Sequence, residues 1–296
     1  MLTTVGDWIE APLHLPQGRS EIVVGDVHGC REQLEAVLDA GRSAAADAHL
    51  TLLGDLADRG PDSLGTIRAA SDAVEAWRRR GLDATLLPGN HEQILLGTVL
   101  DTQSHHSDTL LHNGGLWLYD LCVQAGRGRF DTPTVRARLQ AALGERAWAM
   151  LTQDGAMLGE GDGAPMLHRR VGNVILVHAG VHPEATEPEM WIGTADPMAL
   201  DDDHPLWIRE PFLAHPAAFG DGLFVVHGHT PEHRTTRHDG SRASPGEHRH
   251  DGWRLGLDGG SATTGIVSAA ILQHGRYRIV TCRGAKAEDP DRPTPG

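Results

Sequence analysis

The feature that most constrains this chain is a series of short apolar runs that end in Gly, Asp, Asn or His. They are "EIVVGD" (21–26), "HLTLLGD" (49–55), "ATLLPGN" (84–90), "VILVHAG" (174–180) and "LFVVHGH" (223–229). "WRLGLDGG" (253–260), "GIVSAAIL" (265–272) and "RYRIVTC" (276–282) follow. Each has the length of a buried strand and is too short for a core helix. Helix-like stretches at 31–40 and 63–80 separate the first three runs, and Gly81 supplies a stop after "WRRR". That alternation predicts right-handed βαβ units in the first half. The later runs follow more closely and predict mixed or antiparallel pairing. The class is therefore α/β.

Residues 91–170 read as mainly helical and are expected to form a cap beside the sheets instead of an independent domain. Residues 231–252 are polar, punctuated by Gly and Pro, and rich in His. They read as an exposed excursion whose His233, His238, His248 and His250 are solvated. Residues 1–20 are a lead-in, 21–282 one domain, and 283–296 a disordered tail.

The runs end on polar clusters: Asp26 and His28; Asp55, Asp58 and Arg59; Asn90, His91 and Glu92; His178; and His227 with His229. A single Gly-Asp turn, or a single strand-end His, is ordinarily structural. Five such clusters in succession converge on one edge of an α/β sheet, where these folds bind ligands. Two Asp, three His and one Asn suffice for two ions sharing a carboxylate. The mixed oxygen and nitrogen donors suit Mn, Fe or Zn better than Ca or Mg. Two ions about 3.5–4 Å apart can hold a bridging hydroxide and clamp an in-line phosphoryl displacement.

Composition narrows the partners. A formal charge of -14 over 296 residues argues against general nucleic-acid or anionic-membrane binding, yet allows a phosphate substrate at a locally cationic site. The three cysteines, Cys30, Cys122 and Cys282, are widely spaced, a reduced-compartment pattern. Asp7 and Glu10 stand where a signal peptide would be basic or apolar, and no run approaches the roughly 18 apolar residues of a transmembrane helix. The expected location is the cytoplasm, with no nucleic-acid and no membrane partner. Oligomeric state has no sequence signature here.

In this order, the motifs "GDVHG", "GDLADRG", "GNHE", "HAG" and "HGHT" resemble those of the PPP-type metallophosphoesterases. That branch includes bacterial serine/threonine protein phosphatases and diadenosine tetraphosphatases. The resemblance runs from about residue 21 to 282. It implies the calcineurin-like metallophosphoesterase fold, a two-sheet β-sandwich flanked by helices. It implies that Asp26 and His28 hold a first metal, that Asp55 bridges, and that Asn90, His178 and His229 hold a second. His227 falls outside the ligand set. His91 would protonate the leaving group with Asp58 orienting its ring, while Arg59 and Arg209, from "LWIRE", clamp the phosphate. The cofactors implied are two divalent ions, manganese first, with iron or zinc as alternatives.

Protein phosphatases of this family carry Asp at the position of Asp58 and Glu at that of Glu92. Symmetric diadenosine tetraphosphatases typically have Ala and Asp there. The resemblance therefore favours hydrolysis of phosphomonoesters, above all protein phosphoserine and phosphothreonine, by attack of the bridging hydroxide. Dinucleoside polyphosphate hydrolysis is the alternative, and a non-catalytic metal-binding scaffold a remote one. The Asn113-Gly114-Gly115 stretch resembles a cap segment of the family and reads as structural, with a hand in substrate shape. Gly259 stands where bacterial relatives usually show Thr. Cys30 reads as a small buried hydrophobe.

Overall fold

A computed structural model describes residues 1–123, 128–152, 166–235, 240–248 and 250–285. His238, residues 286–296 of the expected tail, and residues 124–127 and 153–165 of the expected cap lie outside them. In chain order, β1 (Leu2–Val5), β2 (Ile9–Glu10) and β3 (Glu21–Val24) precede α1 (Arg31–Ala44), β4 (His49–Leu52), α2 (Ser63–Arg78) and β5 (Ala84–Leu86). A helical layer follows: α3 (Asn90–Leu100), α4 (His105–His112), α5 (Leu116–Val123), α6 (Thr132–Leu143) and α7 (Glu145–Leu151). Then come β6 (His168–Val171), β7 (Val174–Val177), α8 (Pro188–Gly193), α9 (Glu210–Leu213) and β8 (Phe224–His227). The last elements are β9 (Arg254–Gly256), α10 (Ser261–Thr264), β10 (Ile266–Gln273) and β11 (Arg276–Arg283).

The first sheet has the order β1-β11-β10-β3-β4-β5, with β2 also on β11, and the second β6-β7-β8-β9. The βαβ expectation holds, since β3, β4 and β5 are parallel. β10 and β11 pair antiparallel, as does β10 with β3. The second sheet is mixed: β6 is antiparallel to β7, whereas β7, β8 and β9 are parallel. The lead-in is part of the fold, because β1 forms an edge strand on β11.

Alternation along each strand explains why the runs are continuously apolar. In β3, Ile22 and Val24 face the helices while Val23 faces the other sheet. In β7, Val174 and Leu176 join Phe224, Val226 and Leu255 between the sheets, and Ile175 and Val177 pack outward against Phe212 and Ile192. Both faces are buried, so both positions of the two-residue period must be apolar. The result is helices, sheet, sheet, helices. The helical layer shares the outer core of the first sheet, with Leu110, Leu118, Leu139 and Trp148 in one cluster with Ile22 and Leu50.

Arg169 of β6 fastens the sheets at the edge away from the clusters. It donates to Thr51 Oγ1 at 2.9 Å and lies 3.5 Å from the buried Glu21 and 3.2 Å from Asp83. No helix among the described residues is long and apolar enough to cross a membrane. The polar excursion is only partly exposed, which corrects one expectation. His248 Nδ1 bonds the Gly256 carbonyl at 3.1 Å, and burial pushes its imidazole down to about 4. His233 is half-buried beside Gly260, and only His250 of the described histidines there is exposed.

Candidate metal centre

All five clusters meet at the carboxyl ends of β3, β4, β5, β7 and β8. The loops after β4 and β5 touch through glycine. A Cβ on Gly54 would lie 2.1 Å from Gly89 N, and one on Gly89 would lie 2.1 Å from Asp55 Oδ1. Only glycine permits that approach, and it brings Asp55 and Asn90 together. Gly228 plays the same part for β8: a Cβ there would sit 2.0 Å from Asp26 Oδ1, and without one His229 N donates to that carboxylate at 2.9 Å.

Asp55 lies at the middle. Its Oδ2 is 3.6 Å from His28 Nε2 and its Oδ1 3.4 Å from His178 Nε2. Among the described residues, two groups with metal-holding geometry share it, His28–Asp55–His91 and Asp55–His178–His229. Asp26 lies beside the first, 3.9 Å from His28 Nε2. Burial opposes ionisation of Asp55, but His178, His91, His28 and His229 around it hold its carboxyl below the usual range. Asp26 goes the other way, pushed up by burial and by the charges of Asp258 and Asp55.

The ring nitrogens discriminate among the histidines. His28 Nδ1 donates to the Ala57 carbonyl at 2.9 Å, and His178 Nδ1 to that of Leu53 at 2.8 Å. His229 Nε2 donates to Trp207 O at 3.1 Å. Anchoring one nitrogen to a carbonyl sets the tautomer and leaves the other as a lone pair, the usual support of a metal-binding imidazole. Those lone pairs converge: His178 Nε2 and His229 Nδ1 each lie 3.0 Å from Asn90 Oδ1. Acceptors turned toward one another, beside buried Asp26, Asp55 and Asp258, repel unless a cation sits among them. The donor set thus fits divalent ions.

His91 is anchored differently. Its Nδ1 donates to Asp58 Oδ2 at 2.6 Å, and both side chains are fully buried. Its Nε2 has no hydrogen-bond partner among the described residues and lies 3.9 Å from Asp55 Oδ2. The Asp58 carboxylate also accepts from Trp117 Nε1, on α5, at 2.5 Å. Arg59 does not pair with Asp58; its guanidinium donates to Asn113 Oδ1 at 3.1 Å and to His28 Nε2 at 3.2 Å. Arg209 stands at the exposed rim. Partial enclosure, and then the Arg59 charge, lowers the pKa of its guanidinium, while Asp55, Asp202 and Asp258 oppose that.

The backbone carries strain at these residues. Among the described residues, the non-glycine positions with positive φ are His28, Asp55, Asp58, Arg59 and His229. Such conformations cost about 1–3 kcal/mol each and persist where surrounding contacts impose them. Glu92 imposes one. Its buried carboxylate accepts the N–H groups of Asp55 at 2.7 Å, Gly89 at 2.8 Å and Leu56 at 2.9 Å. Burial and the Asp55 charge raise its pKa to about 7.

The structure brings the expected residues Asp26, His28, Asp55, Asp58, Arg59, Asn90, His91, His178 and His229 together, with Arg209 exposed at the rim. Glu92, expected as a marker of substrate, clamps backbone. Two further residues join the site without being among those expected: Trp117, in the cap, and Asp258, whose pKa burial raises to about 6 next to Asp26 and Asp55. The strand-end position of Asp258, after "WRLGL", was the available signal. Gly259 has its own reason: a Cβ there would lie 2.4 Å from Ile266 O. Cys30 is buried as expected, its thiol pushed up to about 11 by burial.

Comparison with known proteins adds the following. The family model for calcineurin-like phosphoesterases matches residues 22–258. "Serine/threonine-protein phosphatase 1" of Salmonella typhimurium is 39% identical over 103 residues, 34% of this chain and 42% of that protein. A symmetrical bis(5'-nucleosyl)-tetraphosphatase of Janthinobacterium sp. (strain Marseille) is 35% identical over 88 residues, 29% of this chain and 30% of that one. The match thus spans less than half the length of these curated relatives. The solved structure of a mutant cold-active protein tyrosine phosphatase shares the fold, with a TM-score of 0.50 and 15% identity, covering 88% of this chain and 77% of that one.

Proposed function

Because the chain belongs to the calcineurin-like phosphoesterase family, we propose that it hydrolyses phosphomonoesters, foremost protein phosphoserine and phosphothreonine, with two divalent ions at the strand ends. The observation that carries the reading is the orientation of the imidazoles. His28, His178 and His229 each spend one nitrogen on a carbonyl and turn the other toward the shared Asp55 or Asn90, whereas His91 spends its nitrogen on a carboxylate.

In this reading Asp26, His28 and Asp55 hold one ion, and Asp55, Asn90, His178 and His229 the other; manganese is our choice of metal. When bound, the ions supply Lewis-acid chemistry, polarising phosphoryl oxygens and making water a better nucleophile. The chain does the rest. Arg59 and Arg209 bring positive charge to the phosphoryl oxygens and orient the ester. His91 holds a proton at Nε2 for the departing oxygen, and Asp58 stabilises the charged ring through Nδ1. Burial pushes the Cys30 thiol up to about 11, so it offers no thiolate nucleophile, and in this reading water attacks the phosphoryl group directly.

Similarity to a serine/threonine protein phosphatase supports the phosphomonoester reading. Similarity to several symmetrical bis(5'-nucleosyl)-tetraphosphatases favours a second one, cleavage of a dinucleoside polyphosphate. The test compares kcat/KM of Mn-loaded protein on a phosphothreonine peptide and on diadenosine tetraphosphate, with His91→Asn as control. We expect the peptide to be preferred and the variant to lose most of kcat. Preference for the dinucleotide replaces the first reading by the second. Turnover of neither sinks both.

A further inference from the structure

Resting on the phosphoesterase reading above, we propose that Trp117 is a positioning residue for leaving-group protonation. Its indole N–H fixes the Asp58 carboxylate in the orientation that presents His91 Nε2 to the site.

The two oxygens of Asp58 are divided between two partners. Oδ2 faces His91 Nδ1 at 2.6 Å and Oδ1 accepts from Trp117 Nε1 at 2.5 Å. The terminal torsion of an Asp side chain is broad, so one partner alone does not fix the carboxylate plane. A second donor on the other oxygen does. The indole can only donate, so it never competes for the proton that passes along the imidazole. The line of contacts runs from Trp117 through Asp58 and His91 to Nε2, a buried atom with no hydrogen-bond partner among the described residues.

A second contact, from the turn that leads into α5, supports the assignment. Asn113, just after α4, accepts from Arg59 Nη2 at 3.1 Å. Gly114, at φ +97°, packs so closely that a Cβ would lie 2.9 Å from Arg59 N. The turn between α4 and α5 therefore holds Arg59, and the first turn of α5 holds Asp58. These consecutive residues stand at φ +67° and +64°, a conformation that needs outside support. The helical layer thus reaches the acid pair from 59 residues away in sequence and the phosphate-binding arginine from 54.

Trp117→Phe keeps the aromatic packing and removes the N–H. The experiment measures kcat and KM of wild type, Trp117→Phe and His91→Asn, all metal-loaded, on an alkyl phosphomonoester and on p-nitrophenyl phosphate. The alkoxide needs a proton to leave; nitrophenolate does not. We expect Trp117→Phe to lower the ratio of alkyl to nitrophenyl kcat about tenfold, with KM little changed. A readout without turnover accompanies it: the downfield Nδ1–H proton resonance of His91, identified by its loss in His91→Asn, shifts or broadens in Trp117→Phe. If the ratio stays at the wild-type value, or the resonance does not move, the role of Trp117 is overturned. If His91→Asn itself leaves the ratio unchanged, the acid assignment falls and this inference with it. A drop in that variant but not in Trp117→Phe sinks only the Trp117 role.

Discussion

Glu92 accepts the backbone N–H of Asp55 at 2.7 Å and so holds the central carboxylate of the site at φ +50°. The relationship is local neither in sequence nor in chemistry. A buried acid 37 residues away spends its lone pairs on three N–H groups and none on a ligand.

Replacing that acid is therefore informative. Glu92→Gln puts an amide NH2 where one oxygen accepted N–H groups, leaving buried donors face to face. We expect a loss of about 2–4 kcal/mol of stability, together with weaker metal binding. Urea denaturation and metal titration check it. Wild-type stability with full metal content would mean that the clamp does not hold Asp55.

Asp55 is shared by both donor groups, so its loss is expected to empty both seats. Asp55→Asn keeps the shape and removes the charge that balances two cations. Elemental analysis of the purified variant is the measurement. Two ions per chain would contradict a shared carboxylate.

Arg59 donates to His28 Nε2 at 3.2 Å, the lone pair that an ion needs. Arg59→Ala should therefore tighten metal binding by a few fold while raising KM for a phosphate ester about tenfold or more. Calorimetric titration of metal into the variant reads the first effect, and steady-state kinetics the second. Weaker metal binding in the variant would show that the arginine supports the seat and does not compete for it.

His248 yields a pH dependence away from the centre. Its pKa lies near 4 in the folded chain, against an ordinary value of 6.5, because burial disfavours the charged ring. Between those values the unfolded chain binds the proton and the folded chain does not. The stability tied to the neutral ring is thus fully present above about pH 6.5 and lost as pH falls toward 4, up to ~3 kcal/mol. His248→Gln keeps a donor for the Gly256 carbonyl and does not titrate. The stability difference between wild type and variant should shrink or reverse on going from about pH 7 to about pH 4.5. A difference independent of pH would place the ring in water.

The class of fold, and the convergence of the candidate residues on one sheet edge, were legible in the amino-acid order. Each candidate ligand stands within a few residues of the end of an apolar run, and strands that alternate with helices in parallel bring such ends to one edge. That is a local pattern with a topological consequence, so it can be read without coordinates. Division of the histidines is not local. His178 is anchored by a carbonyl 125 residues away and His229 by one 22 residues away. Neither partner carries a side-chain signature, because every residue has a carbonyl. The same holds for Trp117 on Asp58, for Asp258 beside Asp26, and for the five strained residues that packing holds in place. Only the tertiary structure decided these, since hydrogen bonds and backbone strain depend on which distant segments the two sheets and the helical layer press together.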